Sequence, residues 1–197
     1  SVKKMMLRIN NEKALSTVVT TLIILVVSVL LAGVVALYAV NITSTRTQQE
    51  DLRLYKQEVW YNVTGGYSYA ALAIDNVGGR DVVIDKIQVR GVEVSWSDVA
   101  YLRLSSPITS SLQAPNGSYA SSLPGDNFEY ISGTLGDFTT ASNDIPLHSG
   151  DTLVIYIKNP DSVSANDIGT TIGITVFTEN AQYYVECNVK SAERASS

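Results

Sequence analysis

The chain contains one histidine, His148, and one cysteine, Cys187, among 197 residues. Any Ser-His-Asp relay would have to be built on His148. That residue lies beside Ser149-Gly150 in a turn-forming stretch, and it reads as a solvated loop side chain. Cys187 sits in the strand-like run QYYVECNV and reads as a small buried apolar residue. A single cysteine excludes an internal disulfide and a cysteine-rich metal site. Asp126, Asp137, Asp144, Asp151, Asp161 and Asp167 fall in loop-like segments. They lack the spacing of a calcium loop and read as turn-forming or surface residues. The run GTLGDF at 133–138 lacks the lysine and the strand-to-helix setting of a phosphate loop. No catalytic constellation, metal site or cofactor is therefore expected, and the chain does not read as an enzyme.

One chemistry does have its residues in order. Asn41-Ile42-Thr43, Asn62-Val63-Thr64 and Asn116-Gly117-Ser118 are N-glycosylation sequons. Asn62 and Asn116 fall in turn-like stretches, whereas Asn41 ends an apolar run. Chance occurrence in a Ser/Thr-rich chain is the competing explanation.

Charge is unevenly distributed around these residues. Residues 1–14 carry Lys3, Lys4, Arg8 and Lys13 against Glu12, a net of +3. The remainder carries 10 bases and 18 acids, a net of −8. An acidic body argues against nucleic acid as a partner, because phosphates need a basic surface.

No charged residue occurs from Ala14 to Thr45. Leu15–Val40 forms an apolar run of 26 residues, 16 of them Val, Ile or Leu. As a helix it would be roughly 39 Å long, enough to cross a bilayer core of roughly 30 Å. The run is longer than the core of a secretory signal peptide. A plain signal anchor remains open. With bases before the run and acids after it, the N-terminus belongs in the cytoplasm and the body outside.

The segment Lys3-Lys4, Arg8, Asn10-Asn11-Glu12-Lys13-Ala14 followed by Leu15-Ser16-Thr17-Val18-Val19 resembles the class III signal peptide of archaeal type IV pilins and archaellins. The resemblance implies that a prepilin peptidase cuts after Lys13-Ala14 and leaves Leu15 as the first mature residue. It also implies the other partners: the membrane before assembly, an assembly ATPase with its platform protein, and further copies of the chain. The phrases LAIDNVGGRDVVIDKIQVRG, PLHSGDTLVIYI and NDIGTTIGITVFTENAQYYV resemble the β domain of the same family. Residues 95–143 find no counterpart.

On a helical projection Thr17, Thr20, Thr21, Ser28, Ala32 and Ala39 fall within about 60° of one direction, with Gly33 and Ala36 further round. Such a small-residue stripe lets helices approach closely, although small residues occur in any membrane helix. From Ile42 to Tyr61 the mixture of Leu52, Leu54, Tyr55, Val59 and Trp60 with charged residues is compatible with an amphipathic continuation. One helix is thus expected over 15–61, stopped by Gly65-Gly66. From Tyr67 onward the period becomes two, and six to eight short strands predict an antiparallel, Ig-like β-sandwich over 66–190 with a tail at 191–197. The expected class is α+β. Tyr is abundant, with 11 residues, which suits subunit contact surfaces.

These readings converge on a structural subunit of an archaeal type IV pilus-like filament serving adhesion. The alternatives are the archaellin of a motility filament and a monomeric, membrane-anchored β-sandwich binding module.

Overall fold

The computed structural model describes residues 2–47, 49–161 and 163–192, with the backbone alone for 2–10, 43–47 and 118. It divides into two units, Ser1–Thr47 and Gln48–Ser197.

The first unit is a single helix, α1, over Val2–Thr47. It includes the basic leader as well as the apolar run. No proline interrupts it, and Gly33 has open space around it. The hydroxyls of Thr17, Thr20 and Ser28 donate to the carbonyls of Lys13, Ser16 and Ile24, and Thr21 donates to Val18. Each hydroxyl is thereby satisfied within the helix itself, the usual arrangement for Ser and Thr in an apolar helix.

The second unit contains the strands β1 Leu52–Asn62, β2 Tyr67–Asn76, β3 Val82–Val89, β4 Val92–Glu93, β5 Val99–Leu104, β6 Phe128–Ile131, β7 Thr134–Gly136, β8 Thr139–Thr140, β9 Ile145–Leu147, β10 Thr152–Lys158, β11 Thr171–Thr178 and β12 Gln182–Ser191. Ten of them form one mostly antiparallel sheet in the order β4-β3-β11-β12-β1-β2-β10-β5-β8, with β9 paired to β3. The layout is α+β, and the sheet is curled into a half-barrel.

The expected helix over 15–61 is corrected here. It ends at Thr47, and 52–62 is a central strand of the sheet. The reason is a β-bulge. Leu52 and Leu54 face one side and Tyr55 the other, and then the register shifts between Tyr55 and Glu58. After the shift Val59 and Tyr61 return to the first side and Trp60 to the second. One extra residue resets the alternation. The apolar positions 52, 55 and 59 then mimic a helical period. The body accordingly starts near Gln49, not at residue 66. At the other end, 193–197 of the expected tail lie outside the described residues.

Both faces of the central strands are buried. Ala70, Leu72 and Ile74 of β2 and Leu153, Ile155 and Ile157 of β10 point into the curl, against Ile84, Ile87, Ile174 and Val176. Tyr69, Ala71, Ala73, Val154 and Tyr156 point outward and are covered by residues 105–138. This cover is the segment without a counterpart in the sequence resemblance. It is held by aromatic contacts. Phe128 and Phe138 meet Tyr156 edge-to-face at 5.1 and 5.3 Å, and Trp60 stacks on Tyr156 at 6.4 Å. Such pairs add about 0.5–1.5 kcal/mol each beyond area burial. The Tyr156 hydroxyl, pushed well above its usual range by burial, donates to Gln113 O at 2.7 Å.

One connection closes the curl. β8 pairs with β5 and β9 pairs with β3, so the chain from Thr139 to Leu147 crosses from one sheet edge to the other. Arg103 on β5 donates from Nε to Pro146 O at 3.0 Å, bridging the same gap. The outer edge is thus paired at five of the eight residues of β3 and at two of the six of β5, which limits pairing with another chain chiefly on the β3 side.

The bulge holds Lys56 at φ 53°, a region that side chains with a Cβ adopt at a cost. Lys56→Gly is expected to leave stability unchanged or raise it by up to about 1 kcal/mol, whereas Lys56→Val lowers it by about 1–2 kcal/mol. Urea unfolding of the two variants measures the difference.

Candidate functional site: the apolar helix and the root of the body

Within α1, Asn11–Ile42 forms a span of 32 residues that is long and apolar enough to cross a membrane. None of the side chains described in it is buried. Leu15, Ile24, Leu30 and Leu37 are 60–68% exposed, and even Val19 is 48% exposed. Full burial of a side chain of this kind is worth about 1.5–3 kcal/mol. The 16 Val, Ile and Leu residues together therefore require an apolar surrounding.

Lys13, Ala14 and Leu15 lie in continuous helix with exposed side chains. The side chains of Lys3, Lys4 and Arg8 lie outside the described residues. Of the small residues, Ser28, Ala32, Ala36 and Ala39 line one shallow groove together with Leu31 and Val35. That groove brings Ala36 into the stripe. Thr17, Thr20 and Thr21 lie nearer the N-terminus, and Gly33 is not among the groove residues.

The sequons are presented differently. Asn41 is in the last apolar turn of the helix. Asn62 ends β1, half-buried, and its Oδ1 accepts from Gly65 N at 2.8 Å. Asn116 is exposed and extended, φ −144° and ψ 175°, just before a short 3-10 turn.

The other candidate groups serve the backbone. His148 Nδ1 lies 3.0 Å from Asp81 Oδ2, both exposed, in the turn before β10. That contact, with the Ser149 N–H, holds the Asp81 carboxyl below its usual range. Asp167 closes a capping box with Ser164 and meets Arg90 at 3.3 Å; the Ser164 N–H foremost lowers its pKa. Asp137 accepts from Asn127 N, and Asp126 O from Tyr119 OH. Asp144 is exposed, and Asp151 and Asp161 are half-buried. Among the described residues no three His, Cys, Asp or Glu side chains gather as a metal-holding group.

Two acids that sequence reasoning overlooked organise the end of the body that follows the helix. Asp75, 3% exposed, accepts from Arg53 Nη2 at 2.6 Å, Tyr55 OH at 2.8 Å and Thr152 Oγ1 at 2.7 Å. Tyr55 OH in turn accepts from Ile108 N at 3.0 Å. A carboxylate inside an apolar strand run must find such partners, and YAALAID carried that signal. Glu50 gave none, since it resembled a solvated helix residue. Its carboxylate accepts from Thr178 Oγ1, Asn180 Nδ2 and Tyr183 OH, at the turn between β11 and β12.

Around Glu50 the backbone is pinned as well. Val77 and Gly78 donate to Asp51 O at 3.0 Å, and Gly79 donates to Gln49 O at 3.1 Å. Gly78 is required by space. A Cβ there would lie 2.5 Å from Gln49 O and 2.6 Å from Asp51 N.

No family model and no curated protein matches the chain. Among solved structures, a family 123 glycoside hydrolase from Clostridium perfringens is similar with a TM-score of 0.28 and 10% identity. The match covers 67% of this chain and 21% of that enzyme, so the chain spans about a fifth of its length. A likeness of this degree carries no argument about fold or activity.

Two outcomes test the root of the body. Gly78→Ala is expected to cost about 1–3 kcal/mol in urea unfolding and to speed amide exchange at Val77 and Gly79. Cys187, half-buried on β12, has its thiol pushed up to about 11, by burial first and by Glu58 second. Its folded pKa exceeds the unfolded value, so its share of stability is complete below about 8.5 and is lost as pH climbs through the folded value. Iodoacetamide at pH 8 should modify it roughly a hundredfold more slowly in the folded chain than in urea.

Proposed function

We propose that the chain is a structural subunit of an archaeal type IV pilus-like cell-surface filament, and that the filament serves adhesion. In this reading α1 first sits in the membrane as an anchor and then packs with other copies to form the filament core. The β body, read as a variant of an Ig-like sandwich, faces outward and carries any glycans. A prepilin peptidase removes residues 1–14, and an ATPase with its platform protein drives the transfer.

The observation that carries the reading is the helix. Over Asn11–Ile42 it exposes large apolar side chains all round, with none buried. Such a surface needs lipid or other helices, and the small-residue groove at Ser28, Ala32, Ala36 and Ala39 suits close helix contacts. Two further features agree. The β3 edge of the body is paired over most of its length, which leaves the helix as the larger surface for self-association. The acidic body also suits an outward location, with the basic leader left on the cytoplasmic side.

The test is the N-terminal sequence of surface fibres purified from cells that make the protein. Leu15 as first residue, in a polymer of this chain, is the expected result. An intact Lys3-Lys4 leader on a dispersed membrane monomer would overturn the proposal in favour of the anchored binding module.

A further inference from the structure

The first and last strands of the body are neighbours and run in the same direction. Val59, Trp60 and Tyr61 of β1 lie opposite Val189, Lys190 and Ser191 of β12. β1 starts at the pinned residues 49–51, and β12 finishes at the opposite end of the sheet. Tension between these two points drives β1 and β12 in opposite directions along a shared axis.

Hydrogen bonds between strands lie across that axis. A load of this kind strains them together, whereas a load that separates two strands from one end opens them singly. β1 is bonded on both sides under such loading. It has nine registered positions against β2 in addition to the three against β12. Two side-chain contacts and one more backbone bond reinforce the parallel pair where its register is short. Lys190 Nζ lies 2.6 Å from Glu58 Oε2, Gln57 Nε2 donates to Glu186 O at 3.1 Å, and Ala192 N donates to Tyr61 O at 3.0 Å. Val59 and Val189 bury the inner side of the pair.

We propose that the body is a load-bearing module in which β1, held between β2 and β12, acts as a shear clamp for force arriving through residues 49–51. The Glu50 contacts and the Gly78 pin spread that force to the β2–β3 and β11–β12 turns before it reaches the strand. The clamp is a property of the single body, so it holds for a filament subunit and for a monomeric anchor alike.

Single-molecule pulling on the full chain in detergent micelles tests it. Cys187→Ser frees the chain of its native thiol, and Cys187→Ala serves if serine unfolds the body. One tether uses Gln49→Cys and a tag after Ser197, along the shear axis. The other uses Gln49→Cys and Glu179→Cys, both at the end of the sheet where β1 and β12 begin, so that β1 and β12 are opened from one side. At equal pulling speed the first axis should rupture at a force roughly twofold or more above the second. The release should be a single step of roughly 500 Å, the extended length of the body. An equal or lower force on the first axis would overturn the clamp, whatever the chain's state of assembly.

Discussion

A strand at the centre of a sheet must satisfy a neighbour on each side and a core on each face, and here the first strand of the body has that position. β1 bonds β2 on one side and β12 on the other. Its inward residues, Leu52, Leu54 and Val59, join the core within the curl, while Tyr55 and Trp60 join the aromatic layer outside. The curl and the outer cover are both answers to this demand. If β1 were displaced, the two halves of the sheet would lose the strand that joins them. The bulge at Lys56 shifts the register by one residue, which returns Val59 to the inner core and Trp60 to the outer layer.

The helix obeys a different constraint. Among the described side chains of Asn11–Ile42 none is buried and most are apolar, so the surroundings of this span are set by what lies outside it. Only residue 48 separates its last turn from backbone that is already fastened to the body. The acids at that point are not a solvated rim. Glu50 and Asp75 are spent on hydrogen bonds that fix the root of β1.

Several of these parts were legible in the sequence and others were not, for physical reasons. The apolar helix was visible because an uncharged run of that length has few other uses. β2, β3, β10, β11 and β12 were visible because their side chains alternate with period two or form short apolar runs bounded by turns. β1 was hidden because one inserted residue changes the phase of that alternation, and the result imitates a helical stripe. The cover at 105–138 was hidden because its order comes from Phe128 and Phe138 meeting Tyr156 far along the chain, with Tyr130 packed on Phe138, while the residues between them are turn formers. The polar network at Asp75 was partly legible. A lone acid in an apolar strand predicts partners, yet cannot say that they will be Arg53, Tyr55 and Thr152.

The adjacency of β1 and β12 also governs when the body can exist. Val59 and its partner Val189 are about 130 residues apart, and closing so long a loop costs on the order of 4 kcal/mol in chain entropy. That pairing cannot form until the last strand has been synthesised. A nascent chain that lacks β12 still has an open side along β1, where the inner core meets water. Contacts of such separation also make folding slow. The body is therefore complete only once β12 has joined β1.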